Sequence, residues 1–328
     1  MHNLEKGFPE ALQFLNFKRE ELVDHHVKVI FWVKEEELSR ISLEAPDFFA
    51  FRNRVVEFME LPHTGELRPA LVEFALETEY GSLDEIKRSI ELKEKLLSEL
   101  STDTEITGYL LSSLGTLYFQ IGLYEKTIEY NEKALKIAQE TVNRQNEGSI
   151  LGNLGLAYSD LGQVEKAIEY YGKALVIVKE IGDRRNEGVW LGSLGNAYYL
   201  RGLVEKAIEY YKDARAIARE IGDRRSEGVW LGNLGSAYGD LRQVEKEIEY
   251  CEKALATARE IGDMHNEGVW LGNLGSAYGD LGQVEKAIEY YENALGIGKE
   301  MKDPRIIISC EKKLELLNIN EIDMNSTV

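Results

Sequence analysis

Proline is scarce and unevenly placed: of five in 328 residues, four stand before residue 70 and the fifth is Pro304. Between those points nothing carries the ring that breaks helices, so long helices can run uninterrupted. Cysteine is rarer still. Cys251 and Cys310 are the only two, too few for a disulfide-stapled domain and in keeping with a reducing compartment. No apolar run approaches the roughly 18 residues that would span a bilayer. The amino terminus, MHNLEKGFPEALQFLNF, lacks a basic start followed by an apolar stretch, so no secretory signal is read. Positive charge is in deficit, with 39 Lys and Arg against 58 Asp and Glu and a net charge of -19. That balance argues against a phosphate backbone as partner, and equally against an anionic membrane surface. Together these absences predict a cytoplasmic protein that binds neither nucleic acid nor membrane.

Motifs that carry chemistry are missing as well. His2, His25, His26, His63 and His265 share no ligand spacing with one another or with either cysteine. No HExxH, GxSxG or GxGxxG element occurs, and no GxxxxGK[ST] phosphate loop. Carboxylates such as Glu205 and Glu209 flank Lys206 at helical spacing and read as solvated faces. The sequence therefore predicts no metal, no cofactor and no enzyme.

What is present is repetition. The segment NEGSILGNLGLAYSDLGQVEKAIEYYGKALVIVKEIGD and its successors recur every 40 residues from 146, 186, 226 and 266, with a looser copy from about 106. Five repeats thus cover 106–305. In each, a first helix carries a stripe such as Leu191, Leu194, Ala197 and Tyr198. After a turn at Gly202, a second helix carries Val204, Ala207, Ile208, Tyr211, Ala214 and Ile217 on one face. Gly222 suits a left-handed helix end, and Asp223 suits the cap of the next helix, as do Asp183, Asp263 and Asp303. Gly155, Gly195, Gly235 and Gly275 fall mid-helix, where glycine costs roughly 1 kcal/mol against alanine, so a close approach of two helices is expected there. Trp190, Trp230 and Trp270 share one position. Packing between repeats is the expectation for them, with a binding platform as the alternative.

This pattern resembles the tetratricopeptide repeat. Leu194, Gly195 and Tyr198 match the family's first-helix signature, and Ala207, Tyr211 and Ala214 match its second-helix series. The period is 40 instead of the usual 34, the proline ending the second helix is absent at Lys179, Arg219 and Arg259, and the tryptophan sits one position early. The longer period with LGN or LGS and IGD is similar to the Leu-Gly-Asn subclass and, more distantly, to kinesin light chains. The resemblance implies an all-α fold, a right-handed solenoid of antiparallel helix pairs, here with a small mixed N-terminal segment. It implies a scaffold or adaptor for other proteins, whose concave wall is built by the first helices.

Carried over position by position, that wall includes Asn153, Ser193, Asn233 and Asn273, with Asn196 one turn on and Arg185 and Arg225 one to two turns earlier. Tyr199 joins this candidate set. Asn offers a peptide backbone both a donor and an acceptor, and Arg can clamp a carboxylate. The alternative is merely polar surface. Residues 187–226 hold seven Lys and Arg against six Asp and Glu, net +1, whereas 227–266 hold four against eight, net -4. A protein or peptide ligand with acidic residues is expected to be steered to the less acidic middle.

Residues 1–62 differ in texture. VKVIFWV (27–33) predicts a strand buried on both faces. This block resembles the carboxyl-terminal edge of the nucleotide-binding module of STAND-type signalling NTPases. Residues 63–105 read as a degenerate repeat or capping helices, 306–320 as a C-terminal capping helix and 321–328 as a tail. The expected function is a scaffold whose groove holds a peptide or helical segment of a partner. The alternative is the sensor arm of a STAND-type NTPase whose nucleotide-binding part lies outside this chain.

Overall fold

Every 40 residues the chain closes one helix on a left-handed residue and opens the next on a side-chain cap. Gly222 has φ +73, a conformation that costs glycine little. Asp223 then accepts the Ser226 amide at 3.0 Å, and Asp183 and Asp263 accept those of Asn186 and Asn266. Asn143 does the same for Asn146 one repeat earlier. Each cap satisfies a donor that the first helical turn leaves free.

The computed structural model describes residues 67–99 and 104–325. The strand expected at 27–33, and every other reading made for 1–62, lies outside these residues. The chain divides into two units, 1–74 and 75–328. Among the described residues there are thirteen helices and no strand. They are α1 (Leu67–Leu76), α2 (Leu83–Glu99), α3 (Thr104–Gln120), α4 (Tyr124–Glu140), α5 (Arg144–Asp160), α6 (Val164–Ile181) and α7 (Arg184–Leu200). There follow α8 (Val204–Glu220), α9 (Arg224–Asp240), α10 (Val244–Ile261), α11 (Met264–Asp280), α12 (Val284–Met301) and α13 (Pro304–Asn325). From α3 to α12 they pair as five two-helix repeats, and each helix packs mainly on the one before and the one after. The unit is a helical solenoid, as expected.

The core runs along the stack because no repeat can cover both of its faces alone. Leu191, Leu194 and Ala197 of α7 are buried against Ala207, Ile208, Tyr211, Ala214 and Ile217 of α8. The mid-helix glycines occupy the points of closest approach. A Cβ at Gly195 would stand 2.6 Å from the Tyr211 ring, and one at Gly155 would stand 2.5 Å from Tyr171. The tryptophans pack between repeats. Trp190 and Trp270 are buried, and each indole lies on a glycine of the preceding first helix, with a Cβ at Gly192 only 2.2 Å from Trp230. Trp190 and Trp230 also stack on Tyr171 and Tyr211.

Ala207 is fully buried. Ala207→Leu is expected to overpack this layer and lower the urea midpoint by the equivalent of about 1–3 kcal/mol. An unchanged midpoint would mean that the face is wrongly assigned.

Candidate functional site

The first helices carry, on one face, a series of polar side chains that bond from repeat to repeat. Asn233 on α9 donates its amide to Asn196 Oδ1 on α7 at 3.2 Å. Asn273 on α11 donates to Ser236 Oγ on α9 at 3.3 Å, in the same register. The second helices support this row from behind. Tyr211 donates its hydroxyl to Asn196 Oδ1 at 2.8 Å, and the Tyr291 hydroxyl meets Ser276 Oγ at 2.9 Å. Burial pushes the Tyr171 hydroxyl up to about 12, against the pull of the Ser159 and Ser193 hydroxyls that it faces. Asn196 is exposed, while Asn153, Ser193, Asn233 and Asn273 are half-buried. Of the candidate residues, Asn196, Asn233 and Asn273 take part in these cross-repeat bonds, and Tyr199 donates its hydroxyl to Asp240 of the next repeat.

Arg185 and Arg225 lie at the other end of the same helices, and here the structure adds something the sequence did not offer. Arg225 Nε reaches Asp263 Oδ2 at 3.2 Å, so it is engaged with the cap of the following repeat. The row it belongs to behaves alike: Gln145 donates to Asp183 at 3.3 Å and His265 lies 3.2 Å from Asp303. Burial opposes ionisation of Asp223, but hydrogen bonds from Ser226 and the nearby charge of Arg185 hold it below the usual carboxylate range. These side chains tie successive repeats together, although Arg185 and Arg225 remain exposed.

A second basic row was not singled out from sequence. Arg184 and Arg224 each bridge a buried glutamate three residues on, Glu187 or Glu227, to one at the end of the following helix, Glu220 or Glu260. Its signal was present as Arg-x-x-Glu recurring with the repeat.

The fourth repeat departs from its sisters at positions that meet in space. Glu247 stands where 167, 207 and 287 are alanine, and Cys251 stands where 171, 211 and 291 are tyrosine. The two are four residues apart on one face of α10. A Cβ at Gly239 would lie 2.6 Å from the Glu247 carboxylate, so this glycine leaves the space that the acid fills. Burial, reinforced by the charges of Asp280 and Asp240, pushes Glu247 up to about 7. Burial, the hydrogen bond to Asp240 and the charges of Asp240 and Glu247 push Tyr199 up to about 12. Comparing the repeats column by column would have found Glu247.

Among the described residues no helix is long and apolar enough to cross a membrane. Nor does any group of three His, Cys, Asp or Glu there form a metal site.

A capped, glycine-notched stack of 40-residue helix pairs defines a helical-repeat protein. The tetratricopeptide-repeat family profile matches residues 106–180, 146–220, 186–255 and 226–300, more than half of the chain. The chain belongs to the tetratricopeptide-repeat family. Solved structures agree on the fold. BtubC (BKLC) from P. vanneervenii superposes with a TM-score of 0.58 at 22% identity, over 71% of this chain and 93% of its own. A STAND signal-transduction ATPase with a tetratricopeptide-repeat sensor, from Pyrococcus horikoshii, gives 0.66 at 20% identity over 96% of this chain, which spans 44% of that longer one. A Rap protein complexed with competence and sporulation factor gives 0.55 at 15% identity, over 94% and 88% of the two chains. No curated protein is matched.

Proposed function

We propose that the first-helix wall of repeats 106–305 binds an extended or helical segment of a partner protein, and that the chain works as a scaffold and not as an enzyme. The observation that carries this reading is the row of amides and hydroxyls linking Asn196 to Asn233 and Ser236 to Asn273. These groups bond across repeats yet stay half-exposed, with donor and acceptor capacity left for a backbone laid along them. Packed helices lie roughly 8–10 Å apart, so five repeats offer a wall of about 40–50 Å, enough for about 12–15 extended residues. The structurally similar Rap protein, crystallised with competence and sporulation factor, supports the same use of the fold. Arg185 and Arg225 would meet carboxylates on the ligand.

Affinity pull-down with mass spectrometry would identify the partner, and titration would locate it. Asn233→Ala is expected to weaken capture by roughly 1–3 kcal/mol, since a buried polar group of the ligand loses its partner. Reversing Arg185 and Arg225 to Glu is expected to abolish capture, and raised salt to weaken it. Arg225→Glu also sets a carboxylate against Asp263, so a stability loss of roughly 0.5–1 kcal/mol should accompany it. Unchanged affinity in all three variants would place the binding surface elsewhere.

A second reading is a sensor arm for a STAND-type NTPase. It is supported by the likeness to the Pyrococcus horikoshii ATPase over 96% of this chain. Nucleotide-dependent association with a separate NTPase module would favour it over the scaffold.

A further inference from the structure

Glu247 is 8% exposed, and among the described residues no hydrogen bond or ion pair reaches its carboxylate. Such a group is expensive to keep without a counter-charge. Its charged neighbours make matters worse. Asp240 and Asp280 are close enough to oppose its ionisation, and neither forms an ion pair among the described residues. Tyr199 donates to Asp240 and lies within the field of Glu247. Cys251, where the sister repeats carry a tyrosine, contributes no cation; burial and the charge of Glu247 push its thiol up to about 12. Glu247, largely buried, thus sits beside two exposed carboxylates and a phenol, and among the described residues none of the three carboxylates has an ion-pair partner.

We propose that Tyr199, Asp240, Glu247 and Asp280 form a subsite for an arginine or lysine side chain on the segment held by the first-helix wall. This deepens the groove reading and rests on it. The cluster does not have the arrangement of a metal site, which leaves an organic cation as the complementary group. A guanidinium brings five N–H donors in a planar fork and can serve several carboxylates at once. The Tyr199 ring gives it a face to lie on. The subsite also gives the wall a direction. Asp240 follows Arg225 by fifteen residues on α9, about 22 Å along the helix. The basic row and the acidic subsite therefore lie at opposite edges of the wall.

Two measurements on the full chain test this. In the first, amide proton–nitrogen correlation spectra are followed while N-acetyl-arginine amide, N-acetyl-lysine amide or the neutral N-acetyl-citrulline amide is added. Saturable shifts at Gly239 and Asp240 are expected with the two cations and not with citrulline. Their affinity is expected to fall about tenfold in Glu247→Ala, which restores the residue of the sister repeats, and also in Asp280→Asn. Absence of saturable shifts, or equal affinity in both variants, would overturn the subsite. In the second, the chain is screened against immobilised peptides of about 12 residues, the length the wall accommodates. Binders rich in Arg or Lys that are lost with Glu247→Ala support both readings. Binders with no basic preference overturn the subsite and leave the groove standing. No binders, where the arginine amide still shifts Gly239, overturn the groove and leave the subsite.

Discussion

Gly232→Ala is expected to destabilise the protein by about 3 kcal/mol, while Gly272→Ala, one repeat further on, should stabilise it by up to about 1 kcal/mol. The two glycines occupy the same place in LGNLGSAYGD, a sequence identical in both repeats. What differs is the next repeat. A Cβ on Gly232 would stand 2.1 Å from the Trp270 ring, which is rigid and buried, whereas a Cβ on Gly272 meets nothing within 4 Å among the described residues. Forty residues beyond Trp270 the chain carries Cys310, so the indole that would fill the notch is missing. At Gly232 the added methyl must displace an aromatic layer that also holds the neighbouring repeats together. At Gly272 only the helix propensity changes, and alanine is the better former. Urea unfolding of both variants checks this, and shifts of the same sign would mean that the indole is not what demands the glycine.

That contrast also marks what the sequence could and could not convey. Periodicity alone located the helix pairs, because a stripe recurring every three or four residues and a break every twenty leave little choice. The caps at Asp183, Asp223 and Asp263 were legible because their chemistry is local: the side chain bonds an amide three residues away. Contacts spanning about one repeat were not legible. Arg225 was read as a free clamp for a ligand, yet it meets Asp263 thirty-eight residues away, a separation fixed only by how far one repeat advances on the next. The tryptophan row was ambiguous for the same reason, since its partners Gly152, Gly192 and Gly232 lie in the preceding repeat. The candidate wall residues were assigned through the family resemblance, which supplies the face. It does not supply exceptions to the face, and Glu247 is such an exception. Places where a repeating sequence breaks its own rule without a compensating contact are where function is expected.

The stability cost of Glu247 is the most direct measure of that exception. Burial and the charges of Asp280 and Asp240 push its carboxyl up to about 7, from an ordinary value of 4.5. The folded state thus holds a proton that the unfolded chain has already released between those values. By linkage, the stability it contributes is fully present below about pH 4.5 and is lost as pH rises through 7. Discounted for the solvent that still screens its carboxylate, that elevation corresponds to on the order of 2–3 kcal/mol at pH 8. Glu247→Ala abolishes this penalty and installs the side chain already accommodated at Ala167, Ala207 and Ala287. The variant is therefore expected to be about 2–3 kcal/mol more stable than the parent at pH 8, with the gain largely gone at pH 5. Every other titrating group is common to both proteins, so the change in their difference with pH isolates Glu247 and the Asp240 and Asp280 charges acting on it. Urea midpoints at the two pH values provide the measurement. An equal gain at both would show that the carboxyl is not strained by its charge. A loss at both would show that the Glu247 stem packs better over Gly239 than alanine does, and the exception would then be structural.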